Sequence, residues 1–122
     1  MSETAIDRPA TGRFAGNAHH FPLRVYFEDT DLSGIVYHAN YLRYMERARS
    51  DMLRLAGIDQ RDAIEAGEGA YAIVDLAIKY RSPARLEDDL LVISTVERVS
   101  PARVIIHQTV RRDDTILTQA TV

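Results

Sequence analysis

One stretch restricts the architectures open to this chain more than any other: Asn40 to Ala56, which carries a helical period. Tyr41, Met45, Ala48, Met52, Leu55 and Ala56 recur at three- and four-residue steps, and Tyr44 and Leu53 widen the stripe. Arg43, Glu46, Arg47, Arg49, Ser50, Asp51 and Arg54 fill the remaining angles. Asn40 is the expected N-cap, and Gly57 the expected stop in the left-handed conformation. Such a helix is about 24 Å long at 1.5 Å per residue, enough to cross a small domain.

The segments around it read as strands. In Phe21–Glu28, Leu23, Val25 and Phe27 alternate with Arg24, Tyr26 and Glu28, and Pro22 suits the start of a strand. Asp59–Glu68 predicts a short second helix or turn, closed by Gly67 and Gly69. Four strands are then expected: Ala70–Tyr80 up to Pro83, Leu90–Val99 up to Ser100-Pro101, Arg103–Arg112 up to Asp113-Asp114, and Thr115–Val122, the last cut short by the chain's end. Short connections make the last strands antiparallel neighbours. One amphipathic helix and a sheet of about five strands satisfy each other only if the sheet wraps the helix. The expected fold is therefore α+β. Residues 21–122 form the domain, and residues 1–20, which lack periodicity, form a mobile arm in which His19-His20 are tail residues.

Composition narrows the function. With 122 residues and 46% hydrophobic content the chain can bury one core, and no apolar run approaches the length of a spanning helix. A net charge of −3 offers no global attraction for nucleic acid. No cysteine is present, so there is neither a disulfide nor a catalytic thiol; that leaves the compartment open, and cytoplasm is the default expectation.

The chemistry concentrates just before the long helix, in Phe27-Glu28-Asp29-Thr30-Asp31-Leu32-Ser33-Gly34-Ile35-Val36-Tyr37-His38-Ala39-Asn40-Tyr41. Asp31 and His38 flank Gly34, and a helix start follows. A carboxylate and an imidazole placed there can attack or protonate a carbonyl substrate while helix N–H groups receive its oxygen. The plainer reading makes Glu28, Asp29 and Asp31 a solvated loop, with Asp29 or Asp31 accepting backbone N–H bonds, and His38 a structural histidine. A calcium loop is also spelled by Asp29-x-Asp31-x-Ser33-Gly34, but its twelfth position is Asn40 rather than Glu and no helix enters it. No metal is expected.

The run Asp29–Tyr41, followed by Glu46-Arg47-Ala48-Arg49, resembles the hotdog-fold acyl-CoA thioesterases, in the branch of 4-hydroxybenzoyl-CoA thioesterase and the Tol–Pal-associated YbgC enzymes. Lys79-Tyr80-Arg81-Ser82-Pro83-Ala84-Arg85-Leu86-Glu87-Asp88 is similar to a second pattern of that family. The resemblance implies a sheet wrapped around the long helix, and dimers with sites at the interface. It also implies Asp31 as catalytic carboxylate, His38 as its partner, and the His38 N–H as the group that polarises the thioester carbonyl. Gly34, Tyr37, Ala39 and Asn40 are the expected substrate-binding positions. Phe27 stands where relatives often have a tyrosine, and Glu87 where a glycine is common. No cofactor is expected beyond the coenzyme A of the substrate itself.

The expected activity is hydrolysis of an acyl-CoA to a carboxylic acid and coenzyme A. The alternatives are a non-hydrolytic acyl-binding or scaffold module and a hotdog hydratase or dehydratase. Arg81, Arg85, Arg103, Arg111 and Arg112 are candidates for the coenzyme A phosphates, and Glu46 is expected in an ion pair with Arg43, Arg47 or Arg49. Apolar residues on both faces, Ile73 beside Val74 and Ile105 beside Ile106, point to a homodimer or a tetramer of dimers.

Overall fold

The computed structural model describes residues 7–67 and 72–122. Its strands are β1 (Arg13–Ala15), β2 (Ala18–Arg24), β3 (Ala77–Tyr80), β4 (Asp89–Val99), β5 (Val104–Arg112) and β6 (Thr115–Thr121). Helix α1 (Asn40–Leu55) and the short α2 (Gln60–Glu65) lie between β2 and β3. All six strands form one antiparallel sheet in the order β1-β2-β4-β5-β6-β3. Register shifts between Val96 and Arg98 in β4 and between Val110 and Arg111 in β5 mark bulges, which bend strands and help the sheet curve around α1.

The apolar stripe of α1 is buried as its period predicts from Tyr41 to Met52, but Leu55 and Ala56, expected to continue it, are exposed where the helix runs out past the sheet's core. Tyr41, Tyr44, Met45 and Ala48 are buried in one cluster with Val25, Val36, Leu90, Val92, Val110, Leu117 and Ala120, and Met52 is buried as well. Burying a side chain such as Met45 contributes about 1.5–3 kcal/mol. Gly57 takes φ +87 and ends the helix as expected. Beneath α1, the buried Gln108 side chain donates to the Met45 carbonyl at 3.0 Å and to Ser94 Oγ at 2.9 Å. It also accepts from Arg49 Nη1 at 2.8 Å.

Three expectations change. The arm does not extend to His20, because β1 and β2 pair from Arg13↔His20 to Ala15↔Ala18 across a turn at Gly16, φ +62. His19 is no tail residue. It is fully buried, and its Nε2 lies 2.7 Å from Asp51 Oδ2 on α1, an oxygen that also accepts the Gly12 N–H at 3.0 Å. That pairing brings a charged residue from the polar side of α1 into the interior and docks the N-terminal hairpin. A Cβ at Gly12 would fall 2.3 Å from the His20 carbonyl oxygen, so the contact requires glycine.

The strand expected over Ala70–Tyr80 is reduced to Ala77–Tyr80, since only these residues pair with β6. Ala70 and Tyr71 lie outside the described residues, as do Glu68 and Gly69. The strand expected over Phe21–Glu28 ends at Arg24, and Phe27–Asp29 form a turn of 3-10 helix instead. Pro22 lies inside β2, beyond His20 where β1 stops covering it, so its missing N–H costs little.

Candidate active site

After β2 the chain enters the acidic loop through two capped turns. Asp29 Oδ2 accepts the Tyr26 N–H at 2.9 Å and closes the first. In the second, Asp31 Oδ1 accepts the Ser33 N–H at 2.8 Å and the Ser33 hydroxyl. The Asp31 N–H donates to Ile35 at 2.9 Å, and Gly34, at φ +81, supplies the left-handed residue that lets the chain double back. Both aspartates thus carry the turn role of the plainer reading. Asp31 is nonetheless exposed, and both of its hydrogen bonds from Ser33 fall on Oδ1. The Ser33 hydroxyl, seconded by the Ser33 N–H, holds the Asp31 carboxyl below the usual carboxylate range.

The second motif holds this loop in place. Val36 N–H donates to Ala84 at 2.8 Å, Leu86 N–H to Gly34 at 3.2 Å, and Ile35 bridges Arg85. Tyr41, in the first turn of α1, receives the Ala84 N–H on its hydroxyl at 2.9 Å. Glu87, where glycine is common, adopts φ 70, so the left-handed turn survives without glycine. Asp88 closes it by accepting the Arg85 N–H at 2.9 Å and pairing with Arg112 at 2.8 Å. Burial raises the Asp88 carboxyl, but those donors outweigh it and leave the group below its ordinary value.

The helix start differs from expectation in a way that matters chemically. Asn40 is the first helical residue rather than the cap, and its side-chain amide donates to the Asp29 carbonyl at 2.9 Å. The cap position is Ala39, which has no side chain able to cap. Among the described residues the N–H groups of His38 and Ala39 donate to no protein acceptor. Unpaired N–H groups at the positive end of a helix form a ready site for a negative oxygen. Around them stand the exposed His38 ring, the Tyr37 ring at 4.5 Å from it, and Tyr80 edge-on at 6.1 Å.

Asp31, Gly34, Tyr37, His38, Ala39 and Asn40 therefore lie along one loop and helix start, although no hydrogen bond or ion pair joins Asp31 to His38. Glu46 is exposed and, among the described residues, forms no ion pair with Arg43, Arg47 or Arg49; Arg49 is engaged by Gln108 instead. Arg112 is spent on Asp88, Arg111 donates to Thr109 and Arg81 to Gln119. Sequence reasoning missed Ser33 and Tyr80. Ser33 was signalled by the Asp-x-Ser spacing of an Asx-turn, whereas nothing local marks Tyr80.

Residues 33–119 match the model of the thioesterase superfamily. The chain belongs to the thioesterase superfamily. It is 42% identical over 106 residues to the acyl-CoA thioesterase YbgC of Haemophilus influenzae, an alignment covering 87% of this chain and 78% of that protein. The acyl-CoA thioester hydrolase YbgC of Escherichia coli O6:H1 is 37% identical over 103 residues, covering 84% of this chain and 76% of that one. A probable thioesterase from Bartonella henselae superposes with a TM-score of 0.80 at 33% identity, covering 85% and 86% of the two chains. The sheet wrapped on α1 is the hotdog thioesterase fold. Gly34, Tyr37, His38, Ala39 and Asn40 lie inside the family match, and Asp31 two residues before it.

Proposed function

We infer that this member of the thioesterase superfamily hydrolyses acyl-CoA thioesters to a carboxylic acid and free coenzyme A. One observation carries the reading: an exposed carboxylate whose bonds from Ser33 both fall on one oxygen stands in the loop that leads into an uncapped helix start. Asp31 supplies the attacking oxygen, directly or by taking a proton from water. The His38 and Ala39 N–H groups receive the developing oxyanion, each well-placed donor being worth about 3–4 kcal/mol. His38 orients the thioester or protonates the thiolate, which leaves readily without a strong acid. Tyr37, Gly34 and Asn40 shape the approach, and no cofactor beyond the substrate's own coenzyme A is required.

The active form in this reading is a dimer or a tetramer of dimers. Among the described residues β3 is an edge strand bonded only to β6, and an unpaired edge is a template for a second copy. Beside it Ile73 and Val74 are 54% and 82% exposed. They line a cleft of about 850 Å³ with Val96, Val99, Ile105 and Ile106. The reading places the enzyme in the cytoplasm, where acyl-CoA substrates occur. Among the described residues no helix is long and apolar enough to cross a membrane.

Thiol release across a panel of aliphatic and aromatic acyl-CoAs tests the reaction, and Asp31→Asn tests the site. The variant is expected to fold and bind acyl-CoA while turnover falls at least about 100-fold. Turnover within threefold of wild type would move the chemistry elsewhere, with Glu46 the next residue to replace. Water addition to enoyl thioesters without thiol release would favour the hydratase.

A further inference from the structure

The two peptides at the helix start are held in the same manner by different means. In a trans peptide the C=O and the N–H that follows point in opposite directions. Fixing the carbonyl therefore aims the N–H. The Tyr37 carbonyl accepts the Asn40 N–H at 2.8 Å, which aims the His38 N–H outward. This clamp belongs to the helix itself. The His38 carbonyl accepts the Tyr80 hydroxyl at 3.0 Å, from a residue 42 positions later on β3. The N–H at the far end of that peptide is that of Ala39, which donates to no acceptor among the described residues.

We propose that Tyr80 is a positioning residue for the oxyanion site: its hydroxyl holds the His38–Ala39 peptide so that the Ala39 N–H joins that of His38 in receiving the thioester oxygen. This rests on the thioester-hydrolysis reading and adds a second donor and its support. The Tyr80 ring sets the direction of its own hydroxyl through edge contacts with Tyr41 at 5.7 Å and His38 at 6.1 Å. Burial pushes the phenol upward, so it stays protonated and a donor at neutral pH. A hydrogen bond accepted at one end of a peptide also polarises the N–H at the other, strengthening it by about 10–30%. Because Tyr80 touches the peptide and not the reacting atoms, its effect belongs to the transition state, where charge arrives on the oxygen.

Tyr80→Phe keeps the ring contacts and removes only the hydroxyl. With an acyl-CoA that the wild type hydrolyses, kcat is expected to fall about 10- to 100-fold, part of what losing one oxyanion donor costs. KM should stay within threefold, and thermal midpoint and sedimentation should match wild type. A kcat within threefold of wild type, or a loss confined to KM, overturns the proposal. Wild-type protein that releases no thiol from any acyl-CoA would sink the hydrolysis reading itself, which separates the two failures. A second measurement needs no variant. In ¹⁵N-labelled wild-type protein, an acyl-CoA analogue with CH₂ in place of the thioester sulfur should shift the Ala39 amide proton downfield together with that of His38. An Ala39 resonance that stays put while His38 moves overturns the proposal.

Discussion

Removing the Asp51 carboxylate is the most instructive perturbation of stability in this fold. Its Oδ2 serves both His19 Nε2 and the Gly12 N–H, and the His19 and Asp51 side chains are 0% and 4% exposed. In Asp51→Ala the fully buried His19 ring loses its acceptor, at about 1–3 kcal/mol, and the part-buried Gly12 N–H loses its own at a smaller cost. Arg54, 3.6 Å from Oδ1 and two-thirds exposed, adds little. Together the two lost hydrogen bonds put the cost at about 2–4 kcal/mol. That is a large share of the roughly 5–15 kcal/mol available to a domain. Asp51→Asn retains one acceptor oxygen and should lose about half as much. Urea unfolding at one fixed protein concentration measures both, with an unchanged slope as the sign that only stability moved. Hydrogen exchange should show the loss first in β1 and β2, whose docking depends on the pair. A loss below about 1 kcal/mol for Asp51→Ala would refute the argument that the buried pair fastens the N-terminal hairpin.

Other consequences follow for the site and its edges. The Ser33 hydroxyl is the main reason the Asp31 carboxyl lies below its ordinary 3.8. In the proposed reaction the Asp31 anion does the work, so activity should be lost as pH falls through the Asp31 value, and Ser33→Ala should move the acid limb of kcat/KM to higher pH. A limb that stays fixed or moves down would detach it from Asp31. Glu87 at φ 70 bears left-handed strain of about 1–2 kcal/mol, partly offset in Glu87→Gly by greater freedom of the unfolded chain. A net gain of up to about 1 kcal/mol is expected in urea unfolding, and a clear loss would mean that the side chain has a role of its own. Val74→Glu places a charge on the exposed apolar patch beside β3 and should weaken self-association in sedimentation with little effect on the subunit's fold.

What the sequence disclosed and what it hid have physical reasons. α1 was readable because Tyr41, Met45, Ala48 and Met52 keep the helical period and Gly57 supplies the left-handed stop. β4, β5 and β6 were readable because β-branched runs alternate with turn residues. The β1–β2 hairpin was not, since Arg13-Phe14-Ala15 and Ala18-His19-His20 show no alternation, and the partner of His19 lies 32 residues away. Ala70–Tyr80 erred the other way: among the described residues, the strand-forming side chains at Ile73 and Val74 have no strand beside them. In the site, Asp31, Gly34 and His38 stand close enough in sequence to be read as a group. Tyr80 belongs to them only through the fold.

Gln108 has a consequence beyond satisfying its own amide. Apolar contact carries no direction, so the greasy underside of α1 resists lifting the helix far better than sliding it lengthwise. The bonds from Gln108 to the Met45 carbonyl and to Arg49 are directional, and they grip points one helical turn apart. They act as an index pin that sets the helix's axial position against β4 and β5. A slip of a single residue would carry the front of α1 about 1.5 Å along its axis, and the N–H groups of His38 and Ala39 travel with it. In the proposed reaction, the accuracy with which a thioester oxygen can be met is thus determined in part from the sheet-facing side of the helix, by a fully buried glutamine.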